Sequence, residues 1–258
     1  MWDNNGKEHL MSTRSVTTAI RVLEAVAELQ PVGLSELARA VDVPKATVQR
    51  VLVTLEELQW IERAKRDGGK WSIAVHAYAV TSRGSSGSRI RDVAIGPLSA
   101  LQLETGETIH LAVPDELRMV VIERLDTPHV LRAFLALGSR IPMHASATGL
   151  AFLAYSSDEF VSVYLQHPLG ASTPDTMVDP QEVRAELQVI RSRGYSINPG
   201  GLSSGITAIG AALISRELGP VGSISVSGPS SRITPDKFEE YGTAVAATAR
   251  QISMALPG

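Results

Sequence analysis

A chain of 258 residues, 44% of them apolar, is long enough for two compact domains that each bury their own core. The absence of cysteine excludes disulfide staples, thiol redox sensing and Cys-ligated zinc within the chain, and fits a reducing cytoplasm. The net charge of −3 divides weakly, with 13 Lys+Arg against 11 Asp+Glu in residues 1–92 and 11 against 16 in the remainder, so affinity for a polyanion must come from local placement of charge and from doubled contacts in an oligomer.

The first nine residues, Met1 to His9, are polar and lack the apolar core of a secretory signal. Residues 1–12 read as a disordered tail. No stretch approaches the ~18 consecutive apolar residues of a membrane span, so a cytoplasmic protein with no membrane partner is expected. A helix over about Ser15 to Leu29 offers Val16, Ala19, Ile20, Leu23, Val26 and Ala27 as a buried stripe. Leu34, Leu37, Ala38 and Val41 then recur at helical spacing, with Ser35 as a cap. Pro44 suits the first turn of a second helix, because the N–H it lacks has no partner there. Val48, Val51, Leu52 and Leu55 form the apolar side of that helix. Its opposite face carries Ala46, Gln49, Arg50 and Val53, with Lys45 and Thr47 at the edges.

Trp60 to Arg63 and Lys70 to Ile73 are strand-like around the turn material Asp67-Gly68-Gly69, which gathers Arg63, Lys65, Arg66 and Lys70 on or near a hairpin tip. Helix, turn, helix and hairpin is the order of a winged helix-turn-helix. The second helix of that motif enters the major groove of duplex DNA, and a basic wing grips phosphates. The same residues also describe a plain amphipathic helix beside a solvated rim of charge. Residues 13–74 are assigned to this domain and 75–92 to a linker, since Thr81 to Ser88 is rich in glycine and serine. Residues 74–80 read as a short helix, and Arg89 onward opens another with Ile90, Val93, Leu98, Leu101 and Leu103.

Residues 93–258 mix strands and helices. Ile109 to Val113 and Met119 to Arg124 read as neighbouring strands joined at Pro114-Asp115-Glu116, and Ser146 to Tyr155 as a helix. Pro180 to Arg193 is a further helix with Asp179 as cap and Gly194 as stop, and Thr234-Pro235-Asp236 opens a last one. An antiparallel sheet flanked by helices, in the α+β class, follows from that order. Val221 to Pro229 alternates, placing Ser223, Ser225 and Ser227 on one face and Ile224 and Val226 on the other. Alternation alone fits a hydroxyl face that meets water, the plainer reading, or one that lines a small-molecule pocket.

Gly201-Leu202-Ser203-Ser204-Gly205 satisfies the G-x-S-x-G pattern of a hydrolase nucleophile, which makes an esterase-like enzyme using Ser203 the rival reading. That motif requires a strand before the serine, a helix after it, and then an acid and a histidine in chain order. The last histidine, His167, lies upstream of Ser203, and Ser196 to Gly200 reads as too broken for a core strand. Enzymatic activity is therefore not expected. The histidines show no i, i+4 pair of the kind that holds zinc on a helix, so His110 and His144 read as ordinary polar residues near the sheet rather than as metal ligands. No metal and no cofactor is expected.

Along nearly its whole length the chain resembles the IclR family of transcriptional regulators. The resemblance runs through Ser15 to Ser72, Thr105 to Val113, Gly138 to Gly149, Arg193-Gly194-Tyr195 and Ile224 to Pro229. It implies a winged helix-turn-helix joined by a helical linker to a GAF-like effector domain. It implies a dimer or a dimer of dimers on a pseudo-palindromic operator in double-stranded DNA, and repression or activation of catabolic genes in response to a small organic acid. Arg14, Ser35, Lys45, Ala46, Thr47, Gln49, Arg50, Lys65 and Arg66 are the residues expected at the DNA. For the effector, the backbone amides of Ala147 and Thr148 match the family's anion-holding turn at a helix N-terminus, and Ser225 and Ser227 match its hydroxyl donors. Where small-acid sensors of the family often carry Asp and Cys, this chain has Asn198 and Ala208, and Gly200-Gly201 replaces a common acidic pair. Fewer polar partners and more room imply a larger, partly apolar acid, an aromatic one being the expectation.

Overall fold

A computed structural model describes residues 13–63, 69–81 and 86–256. The chain separates into two compact units, Met1–Ser85 and Ser86–Gly258. The expected tail, the turn residues Asp67 and Gly68, and Lys65 and Arg66 lie outside the described residues.

In the first unit, α1 (Arg14–Leu29), α2 (Leu34–Ala40) and α3 (Lys45–Glu57) bury Val22, Val26, Leu37, Val48 and Leu52 against one another. The buried side of α1 runs through Val22, Ala25 and Val26, while Ala27 is exposed and Val16 and Ile20 are 58% and 51% exposed. The expected stripe is thus corrected. All the apolar positions of a helix were counted, yet only its C-terminal half buries side chains in this core. Ser35 does not cap α2, whose N-cap is Gly33, and Pro44 stands just outside α3 as its N-cap rather than inside its first turn. The Arg21 guanidinium donates to the Val41 carbonyl at 2.8 Å and ties α1 to the turn between α2 and α3. The strands β1 (Ile61–Arg63) and β2 (Trp71–Ile73) form the antiparallel hairpin, and Val32 adds a bridge to Trp71. A short α4 (Val75–Thr81) follows.

The second unit opens with α5 (Ser86–Thr105) and holds, among its described residues, a six-stranded antiparallel sheet in the order β5-β4-β3-β8-β7-β6. Its strands are β3 (Thr108–Asp115), β4 (Arg118–Leu125), β5 (Arg140–Pro142), β6 (Ser196–Pro199), β7 (Ile206–Ser215) and β8 (Gly219–Pro229). Between β5 and β6 the chain crosses from one edge of the sheet to the other through α6 (Ala147–Tyr155), α7 (Asp158–Gln166) and α8 (Pro180–Arg193). A 3-10 turn (Pro235–Lys237) then leads into α9 (Phe238–Ala255). The sheet separates two cores. Ile109, Leu111, Ile209, Ile224 and Val226 pack with α5 and α9, while Ala112, Met119 and Val121 pack with α6, α7 and α8.

Asp179 caps α8 through its carboxylate, and Gly194 ends it in a left-handed conformation at φ +90°. Leu103, counted with the apolar residues of α5, is 81% exposed. Ser196 to Pro199 forms a strand after all, because an edge strand is hydrogen-bonded on one side only and tolerates a proline. No helix among the described residues is long and apolar enough to cross a membrane.

Candidate functional site

Helix α3 turns Val48, Leu52 and Leu55 inward, so helical spacing forces Lys45, Ala46, Gln49 and Arg50 outward, where all four are exposed, with Thr47 half-buried beside them. The side chains of Lys45, Gln49 and Arg50 make no hydrogen bond or ion pair among the described residues, which leaves their donors free. Arg14 opens α1 and, with Thr18, Thr47 and Arg50, lines a cleft between α1 and α3. Ser35 is exposed on α2. On the hairpin, Arg63 stacks 4.3 Å from the centre of the Trp71 ring and lies 3.4 Å from the Glu56 carboxylate, so it belongs to the wing's own structure.

The second site grows out of sheet register. Pairing aligns Asn198, Ala208, Ser227 and Thr108 in one cross-strand row, and Ser196, Gly210, Ser225, His110 and Arg124 in the next. The first turn of α6 stands on this second row. Ser196 Oγ donates to the Ala147 carbonyl at 2.7 Å, and a Cβ added to Gly210 would lie 2.8 Å from the same oxygen, so glycine is what lets the helix come so close. Ser146 caps the helix by accepting from the Gly149 amide at 3.1 Å. The amides of Ala147 and Thr148 have no acceptor among the described residues, and they point along the positive end of the helix dipole.

Between that turn and the sheet lies a small cavity, partly open to solvent. Ala147, Thr148, Asn198, Ala208, Ser225 and Ser227 all line it, and Val121, Leu135, Ile141, Leu202 and Ile206 supply apolar walls. The Asn198 amide is pinned beneath Gly201, where any side chain would collide with it at 2.7 Å. Ser223, Ser225 and Ser227 are at most 5% exposed, and the last two hydroxyls lie 3.3 Å apart. This hydroxyl face therefore does not meet water, which corrects the plainer reading of the alternation.

The sequence pattern reads His110 as an ordinary polar residue near the sheet, yet it lines this cavity at 2% exposure with Nε2 buried and unpartnered. Burial, helped by the charge of Arg124, holds its pKa down at about 4, so the imidazole is neutral near pH 7. The signal for it was the alternation of Thr108, His110 and Ala112 against Ile109, Leu111 and Val113. Thr148 Oγ1 is likewise buried without a partner. His144, by contrast, is fully engaged. Its Nε2–H donates to the Gly170 carbonyl at 3.0 Å, and Nδ1 accepts from the Tyr164 hydroxyl at 2.6 Å. No group of three or more metal-ligating side chains occurs among the described residues. Ser203 lies in the loop between β6 and β7, so the strand-to-helix turn that an activated hydrolase serine needs is not there.

Comparison with known proteins matches both units to one family. Residues 15–65 match the IclR helix-turn-helix domain, and residues 85–254 match the bacterial transcriptional regulator IclR C-terminal domain. The chain is 33% identical over 249 residues to the transcriptional repressor IclR of Escherichia coli K12, covering 95% of this chain and 90% of that protein. Among solved structures it is similar to an IclR homolog from Microbacterium hydrocarbonoxydans complexed with 4-hydroxybenzoate, with a TM-score of 0.83 and 25% identity over 94% of this chain and 98% of that one. It is similar also to the Thermotoga maritima IclR, with a TM-score of 0.79 and 26% identity over 94% and 98% of the two chains. Two domain matches and a relative 33% identical over nearly the whole chain show that it belongs to the IclR family of bacterial transcriptional regulators.

Proposed function

We propose that the protein represses transcription from a pseudo-palindromic operator in double-stranded DNA, acting in the cytoplasm as a homodimer or a dimer of dimers. Its occupancy there is set by a small carboxylic acid, aromatic rather than two- or three-carbon, and the genes it controls are catabolic. Residues 13–74 bind DNA, 75–92 join the domains, and 93–258 bind the acid. In this reading Gln49 and Arg50 meet base edges, and Arg14, Ser35, Lys45, Ala46, Thr47, Lys65 and Arg66 position the domain on the backbone.

The observation that carries the effector reading is the unpartnered amide pair of Ala147 and Thr148, facing a cavity whose other walls are largely apolar. A helix N-terminus favours a carboxylate, and the apolar walls favour a hydrocarbon body over a bare two-carbon acid. The Asn198 and Ala208 pair at the cavity edge adds no charge and no thiol. The homolog that binds 4-hydroxybenzoate supports the same class of ligand. The acid alters DNA occupancy only by the difference in its affinity for the binding and non-binding states, and a coupling of ~1–3 kcal/mol is enough.

A gel shift on the DNA upstream of the protein's own gene tests the first half. Arg50→Ala is expected to abolish the shift, and Gln49→Ala to relax sequence choice by ~1–3 kcal/mol at the base it meets. Retention that ignores both sequence and salt would refute operator binding. Calorimetric titration with benzoates, pyruvate and glyoxylate tests the second half, and tighter binding of glyoxylate or pyruvate than of every aromatic acid would refute the aromatic reading.

A further inference from the structure

We infer that Arg124 is the latch of a strap, residues 126–139, which forms the movable wall of the cavity, so that an effector enters and leaves when this one side chain lets go. The inference rests on the reading of the cavity as an effector site and concerns how that site opens, whichever acid it takes.

The walls of the cavity differ in how firmly they are built. On one side stand β3, β8 and β7, each hydrogen-bonded to a strand on both edges, and on another stands α6, buried all the way from Ala147 to Ala154. Neither yields without breaking ladder bonds or a packed core. The third wall is the chain between β4 and β5, which contributes Ala133, Phe134 and Leu135. Both of its ends are tied down. The Thr127 hydroxyl donates to the Gly106 carbonyl, and the Gly138 amide donates to the Val121 carbonyl at 2.8 Å. Between those ties Val130, Leu131, Phe134 and Leu137 are exposed, and of the large apolar side chains only Leu135 packs into a core, so burial does little to hold the strap. Residues 130–135 make one hydrogen bond among the described residues, in which the Leu135 carbonyl accepts from the Arg124 guanidinium at 2.9 Å.

Arg124 has the chemistry of a latch. It is fixed in β4, opposite His110, so its backbone stays with the sheet while its side chain reaches the strap. Besides the bond to Leu135, its Nε lies 2.9 Å from the carboxylate of Asp126, the first residue of the strap, and its guanidinium carbon lies 4.1 Å from the centre of the Phe134 ring. A planar guanidinium makes all three contacts at once, donating within its plane and presenting its face to a ring. One side chain thus gathers the start of the strap and two of the residues that line the cavity. With the latch closed the cavity is small. An acid larger than that space is admitted by releasing one hydrogen bond and one stacking contact, whereas any other wall would have to part strands or lift a buried helix.

The natural chain has no cysteine, so a single introduced thiol reports opening without background. Ala133→Cys places one on the strap at a position 5% exposed, and Ala151→Cys places one inside α6 as the control for general unfolding. Labelling of the full-length protein with dithionitrobenzoate is expected to run about tenfold faster at position 133 once Arg124→Met removes the donors and keeps an apolar stem. Arg124→Lys, which keeps one charged donor, is expected to raise the rate less, and the rate at position 151 is expected to stay the same throughout. Benzoate, pyruvate or glyoxylate, whichever calorimetry shows to bind the Ala133→Cys protein, is expected to slow labelling at 133 about fivefold at saturation while Arg124 is intact. A rate at 133 that ignores both substitutions, or that rises only in step with the rate at 151, overturns the latch and leaves the effector reading standing. Acid binding with no protection of position 133 overturns the strap as a wall of the site. Failure of all three acids to bind refutes the effector reading itself, and this inference with it.

Discussion

At the scale of single residues, the histidines of the second unit differ in what burial asks of them. His144 is neutral and fully hydrogen-bonded, whereas His110 is neutral and has no partner on its ring. Burial depresses both pKa values, and for His110 the folded value is about 4 against an ordinary 6.5. Above pH 6.5 neither the folded nor the unfolded chain holds a proton there. Between 6.5 and about 4 the unfolded chain takes one up and the folded chain does not, so stability falls as the solution is acidified and levels off below that window. The full effect at His110 is roughly 3 kcal/mol. Urea unfolding followed by helix circular dichroism at pH 7 and pH 4.5 is expected to show a smaller acid loss in His110→Leu than in wild type, since carboxylate contributions are common to both. An equal loss would mean that His110 does not hold the depressed pKa. Alternation around position 110 marks a two-faced strand but not the cavity its ring meets, because what places the ring there is pairing of Thr108 to Ala112 with Ser223 to Ser227, more than a hundred residues away.

At the scale of elements, sequence pattern served well where one element decides its own fate. Periodicity marked α3 and its outward Gln49 and Arg50, and Asp179, Pro180 and Gly194 marked both ends of α8. It failed where neighbours decide. The stripe of α1, the cap of α2 and the existence of β6 each depend on what packs alongside. The approach of α6 to the sheet belongs to the second kind, and it controls where the free Ala147 and Thr148 amides stand at the cavity. Gly210→Ala places a methyl group 2.8 Å from the Ala147 carbonyl and 3.0 Å from Ser196 Oγ, with backbone on one side that cannot swing away. Relief requires the helix to lift, which moves the Ala147 and Thr148 amides away from the serines of β8. The expected cost is ~1–3 kcal/mol of stability, read by thermal or urea unfolding. Binding of any acid effector is expected to weaken at least tenfold by titration, with operator affinity in the absence of effector unchanged. Unaltered acid binding would mean that the α6 amides are not the anchor.

At the scale of the molecule, the charge distribution sets how the protein must hold DNA. The amino-terminal 92 residues carry a surplus of only two positive charges, too few to make a strongly attracting domain. Under the proposed function, affinity is concentrated in a few exposed cations, and the proposed dimer doubles each of them. That doubling is measurable. Each phosphate contact contributes about 0.9 to the slope of log affinity against log salt on B-form DNA, because neutralising a phosphate releases its condensed counterion. Lys45 begins α3, is exposed, and has no partner among the described residues, so its ammonium is free to meet a phosphate. In a dimer with both recognition helices engaged, Lys45→Ala removes two such contacts and is expected to flatten the slope by about 2, weakening all sequences alike. A change of about 1 would mean that a single subunit touches the DNA, and no change would mean that Lys45 meets no phosphate. Gel shifts at four salt concentrations with wild type and Lys45→Ala separate the three outcomes. The slope counts subunits on the operator and does not depend on which acid the second domain binds, so it tests the DNA half of the proposal independently of the effector half.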